Sequence, residues 1–136
     1  MSNHGTIHIP KNEYLERVQR AAAILRREGL DALIVNSNEA DYANARYFSG
    51  FWPLFERAGV AISAAGDAAL MCGPESRHFA GDRNRLDKLF VLMEYRESAD
   101  PAYPELVPDT FHDVFKAIGV TGRKLRIGVA SYLDTS

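Results

Sequence analysis

The chain has one cysteine, Cys72, so it can form no internal disulfide and carries none of the repeated Cys or His spacing of a zinc site. That thiol reads as a small buried apolar residue. Long apolar runs are also missing. Nothing approaches the ~18 residues that a membrane span takes, so no membrane is expected as a partner. The stretch from Met1 to Pro10 is polar and lacks the basic-then-apolar order of a signal peptide, which makes the cytoplasm the expected location. There is no cationic excess either. With 16 Lys and Arg against 18 Asp and Glu, a net charge of -2 and a pI near 6.1, the chain lacks the basic footprint that neutralises phosphates, and nucleic acid is not expected as a partner.

Catalytic signatures are absent in the same way. Ser49-Gly50-Phe51 does not form a Gly-x-Ser-x-Gly elbow, and no glycine-rich stretch has P-loop or dinucleotide spacing. The histidines are His4, His8, His78 and His112, and none falls in a ligand motif. His4 and His8 are four apart, but in a tail bounded by glycine and proline that no helix would align, so no metal site is expected in this chain. His112 reads as a surface residue. Asp31, Asp41, Asp67 and Asp82 could be drawn together as a nuclease-like metal cluster, yet most sit at helix starts and turns, where short acceptors are expected anyway. No internal repeat or low-complexity segment interrupts the pattern.

What is present is the composition of an ordinary soluble domain: 136 residues, 46% hydrophobic and 25% charged. A chain of this size buries roughly 65 to 70% of the surface its unfolded form exposes and is expected to fold alone. Leu15, Val18, Ala22 and Leu25 recur at helical spacing and predict a helix over 12–28, with Asn12 as N-cap, Glu13 to Arg17 and Glu16 to Arg20 as i,i+4 pairs, and Gly29 as the stop. Leu30 to Val35 then reads as a strand covered on both faces. Ser37 or Asn38 would cap a short helix through about Arg46, with Glu39 and Asp41 in its first turn. Gly59 to Ala65 and Ala68 to Cys72 predict an antiparallel hairpin, so the sheet should be mixed. Pro74 opens helical turns to about Asp82, Lys88 to Met93 is a further strand, and the prolines within 94–108 predict an ordered surface loop. Phe111, Val114, Phe115 and Ile118 predict a last helix with a Thr110 to Asp113 capping box, ended by Gly119, before a final strand at Leu125 to Val129.

The segment from Phe48 to Arg57 concentrates aromatics in a connection that should lie at the surface. Phe51, Trp52 and Phe55 either fold back on the domain's own core or are buried against another domain or subunit, where aromatics and arginine are enriched. Arg57 adds a fork able to hold a carboxylate through two parallel hydrogen bonds.

The order of helix 12–28, GLDALIV over 29–35, NARYFSGF over 44–51, the hairpin from Val60 to Cys72 and GRKLRIGV over 122–129 resembles the N-terminal domain of the creatinase, prolidase and Xaa-Pro aminopeptidase family, the M24 metallopeptidase-like group. The resemblance implies an α/β fold, a mixed sheet flanked by helices and related to ribonuclease H, over 1–136. It implies that a pita-bread catalytic domain is the missing partner, that this chain alone is inactive and holds no cofactor, and that the parent is a homo-oligomeric hydrolase. The parent would hold a dinuclear divalent metal (Mn, Co or Zn), or none if it is of the creatinase type. In the family the N-terminal domain reaches over a neighbouring active site, and creatinase uses a phenylalanine and an arginine from this region on its substrate. Phe55-Glu56-Arg57 resembles that Phe-x-Arg pattern, which makes Phe51, Trp52, Phe55 and Arg57 the candidate substrate-shaping or interface residues. The rival expectation is a free-standing module whose aromatic loop binds a small carboxylate or a partner protein.

Overall fold

Period-two alternation along the strands builds two cores, one on each face of a single sheet. The computed structural model describes residues 8–97 and 106–130. Its elements run α1 (Lys11–Glu28), β1 (Ala32–Ser37), α2 (Ala43–Ser49), β2 (Ala58–Ser63), β3 (Ala68–Cys72), α3 (Arg77–Arg83), β4 (Leu89–Val91), α4 (Phe111–Ala117) and β5 (Ile127–Ala130), with 3-10 turns at Pro74–Ser76 and Met93–Tyr95. The sheet order is β4-β3-β2-β1-β5. The central pairs β1 with β2 and β2 with β3 are antiparallel, whereas β5 joins β1, and β4 joins β3, in parallel. The sheet is therefore mixed, as the hairpin implies.

On one face Val35, Val60, Ile62, Leu70 and Val91 pack with Val18 and Leu25 of α1, Ala45 of α2 and Ala80 of α3. On the other, Ile34, Ala61, Ala69 and Met71 pack with Val114 and Ile118 of α4 and with Leu92 and Tyr95. Every residue of β2 is buried, which suits a central strand covered on both sides. Cys72 is fully buried, and burial pushes its thiol up to about 12, with Glu56 nearby adding to the shift. It behaves as the apolar residue its sequence context suggests.

Several boundaries differ from the sequence expectation. Helix α1 begins at Lys11 with Pro10 at its N-cap, so Asn12 is not the cap. Its buried stripe is Tyr14, Val18, Ala22 and Leu25, so the stripe begins one position earlier than expected and Leu15 is left exposed. Glu13 pairs with Arg17 at 3.2 Å as expected, but Arg20 also reaches Glu13, at 3.5 Å. Strand β1 starts at Ala32 because Leu30 and Asp31 are held elsewhere. The amide of Leu30 donates to the Leu25 carbonyl and that of Gly29 to Arg26, closing a Schellman motif around left-handed Gly29, while the Asp31 amide donates to Arg126.

Helix α2 starts only at Ala43, since Ser37 still pairs with Ala58 in the sheet and Asn38 Oδ1 accepts from the amides of Ala40 and Asp41 in a turn. Glu39 and Asp41 consequently lie outside its first turn. Ser37 caps it all the same, from the end of β1, by accepting the Ala45 amide at 2.9 Å. Strand β4 covers only Leu89–Val91 because Met93–Tyr95 turn away, and β5 starts at Ile127 and not at Leu125. Of the expected surface loop, residues 98–105 lie outside the described residues.

Candidate functional site

The connection from Gly50 to Arg57 joins α2 to β2 and is fixed at both ends. Gly50 adopts φ 79°, a left-handed turn off the helix that a side chain resists. Ser49 Oγ donates to the Ala45 carbonyl at 2.6 Å and accepts the Phe51 amide at 3.1 Å, steering the chain inward. Phe51 is fully buried, its ring edge-on to Phe79 at 5.7 Å, and Pro53 is buried beside it. At the far end the Arg57 amide donates to the Tyr95 carbonyl.

Between these anchors the side chains part. Phe55 is 40% exposed and Arg57 is exposed, while Glu56 between them is 1% exposed. Glu56 Oε1 accepts the Ser76 amide at 2.6 Å, and Oε2 has no hydrogen-bond partner. Burial raises the Glu56 carboxyl above the usual carboxylate range, and the hydrogen bonds from Ser76 oppose that rise only in part. Gly73 makes this placement possible, since a Cβ there would lie 2.1 Å from Glu56 Oε2. Phe55 and Arg57 border a recess of about 260 Å³ together with Asn38, Glu39, Arg96 and Glu97. Arg96 Nη1 donates to the Met93 carbonyl, and its buried Nε has no partner. The recess is thus lined by two guanidinium groups, by carboxylates and by a phenyl ring.

Trp52 faces a different cavity, of about 620 Å³, bounded by α1, by both ends of α2 and by the end of α3. The guanidinium groups of Arg46 and Arg83 lie over its indole, 4.8 and 5.1 Å from the ring centre. The four residues singled out in the sequence are therefore not one cluster. Phe51 serves the domain's own core, Phe55 and Arg57 share the smaller recess, and Trp52 belongs to the larger cavity. Arg46 and Arg83 are not legible beside Trp52 in the sequence, because the second arginine arrives from another helix. Glu56 carried a signal, as a carboxylate directly after the apolar run from Phe51 to Phe55.

Among the described residues no three His, Cys, Asp or Glu side chains are grouped so as to hold a metal ion. His8, His78 and His112 are exposed. Among them, too, no helix is long and apolar enough to cross a membrane.

The creatinase/prolidase N-terminal domain family matches residues 17–136. With the mixed sheet and its two helical layers in place, the class is an α/β domain of that type, and the chain belongs to this family. Among solved structures, it is similar to the N-terminal, creatinase/prolidase-like domain of a protein assigned as a metallopeptidase from Corynebacterium diphtheriae, with 14% identity, a TM-score of 0.52 and coverage of 89% of this chain and 98% of that one. It is also similar to the prolidase from Pyrococcus horikoshii OT3, with 17% identity, a TM-score of 0.50 and coverage of 85% of this chain and 32% of that one. The chain thus spans about a third of that prolidase. A more distant likeness, at 15% identity and a TM-score of 0.45, covers 90% of this chain and 24% of the X-prolyl aminopeptidase from Caenorhabditis elegans, described as a cytosolic enzyme with a di-nuclear active site. Comparison with curated protein sequences returns no match.

Proposed function

We propose that this chain is the non-catalytic N-terminal domain of a cytoplasmic creatinase or Xaa-Pro dipeptidase-like hydrolase, and that it helps build the oligomer and shapes the active site of a neighbouring catalytic domain. The observation that carries this reading is the placement of Phe55 and Arg57. Both stand out from a connection pinned by the buried Glu56, at the rim of a recess, in a chain whose family match spans residues 17–136. A loop anchored at both ends, with an exposed ring and an exposed guanidinium fork, suits the closing of a small polar substrate's site from outside. The metal chemistry of a peptidase parent, two divalent ions activating water, would be supplied by its catalytic domain. A creatinase-type parent would need none.

The test compares the isolated chain with the full-length protein on Xaa-Pro dipeptides and on creatine, with and without added divalent metal. The isolated chain is expected to turn over neither, and the full-length protein one of them. Turnover by the purified chain above a heat-killed control contradicts the reading.

A further inference from the structure

The cavity around Trp52 is separate from the recess at Phe55 and Arg57 and shares no lining residue with it. Although the whole chain has a net charge of -2, this cavity is walled by the arginines Arg46, Arg83 and Arg85, and by Tyr42 and Tyr47. Among the described residues the ion pairs engage Lys11, Arg17, Arg20 and Arg27, and none engages these three arginines. Arg17, which also borders the cavity, is already committed to Glu13 and to the Tyr47 carbonyl. Arg46 and Arg83 instead rest on the indole of Trp52, and Arg83 also lies 4.7 Å from the Phe79 ring. Cation–π contact orients a guanidinium without using its N–H donors on a carboxylate. Two like charges against one ring repel each other, and an anion within reach of both guanidinium groups would offset that repulsion.

We propose that this cavity binds a small organic phosphate monoester. A carboxylate carries one charge and fills one fork, whereas a phosphate dianion has three terminal oxygens and can take hydrogen bonds from two guanidinium groups at once. The cavity, about 620 Å³, is of a size usual for small-molecule ligands and far exceeds the need of a bare phosphate ion. Tyr42, 41% exposed, lines the cavity and can meet the organic part, whereas the Tyr47 ring already carries the Arg17 guanidinium at 4.4 Å.

Trp52 is the only tryptophan of the chain, so its emission reports this cavity alone. Titration at constant ionic strength with adenosine 5'-monophosphate, ribose 5-phosphate, inorganic phosphate and glutarate separates the possibilities. A saturable emission change is expected with at least one of the two monoesters, in the sub-millimolar range and tighter than with inorganic phosphate or glutarate. Replacing both Arg46 and Arg83 with alanine should weaken it at least about tenfold, as expected for losing charge-assisted hydrogen bonds. The Arg46→Lys and Arg83→Lys pair keeps the charge but lacks the planar fork, and it should also bind more weakly. No saturable response to either monoester, a response to glutarate of equal strength, or undiminished affinity in a folded double variant overturns the proposal.

Discussion

At the scale of single residues, the buried Glu56 is the feature with the sharpest consequence. Its carboxyl is raised above the ordinary value of 4.5 chiefly by burial. A group raised in this way costs the fold nothing while both folded and unfolded chains are protonated, and costs progressively more as pH rises through the folded value. Glu56→Gln keeps an oxygen to accept the Ser76 amide and removes the charge. Its thermal midpoint should exceed that of the wild type at about pH 8, and the gap should close towards about pH 4. An equal offset at both pH values contradicts this. Gly73 supports the same carboxyl: an added Cβ would meet Glu56 Oε2 at 2.1 Å and the Tyr95 carbonyl, a backbone atom, at 2.7 Å. Gly73→Ala should therefore cost about 1–3 kcal/mol in denaturant unfolding. Gly81→Ala in α3, where the nearest atom is 4.0 Å away, should be neutral or slightly stabilising. Sequence marked the 51–57 connection as unusual but not which side chains turn in, since Phe51 and Phe55 are the same residue type with opposite fates.

At the scale of elements, the ends written in local chemistry were the legible ones. Thr110 accepts the Asp113 amide, and Asp113 accepts the Thr110 amide at 2.9 Å, closing the expected capping box of α4. The bonds that the Thr110 amide and then the Thr110 hydroxyl donate to Asp113 Oδ2 hold the Asp113 carboxyl below the usual carboxylate range. Since α4 delivers Val114 and Ile118 to the second core, Thr110→Ala should lower stability by about 1 kcal/mol in thermal or denaturant melts. An unchanged midpoint would show the cap to be idle. The Gly29 stop was legible for the same reason, a left-handed residue after a helix with basic last turn. The starts of β1 and α2 were not, because tertiary bonds decide them. Asp31 is claimed by Arg126, 95 residues away in sequence, and Ser37 caps α2 from within a strand.

At the scale of the whole molecule, the mixed α/β sheet was readable from the hairpin and the apolar runs, whereas the parallel placement of β5 beside β1 depends on a long-range pairing that no local pattern encodes. The pairing of Trp52 with Arg46 and Arg83 was hidden for the same reason. The central claim is that this domain works on a neighbouring active site through the outward pair Phe55 and Arg57. Its most direct test is steady-state kinetics of the full-length protein carrying Arg57→Ala, with oligomer mass measured alongside. Removing a charge-assisted contact worth about 1.5–3 kcal/mol should raise KM roughly ten- to hundredfold, with kcat largely kept if the contact is equal in ground and transition states. Wild-type KM and kcat in a variant of unchanged mass would contradict the account.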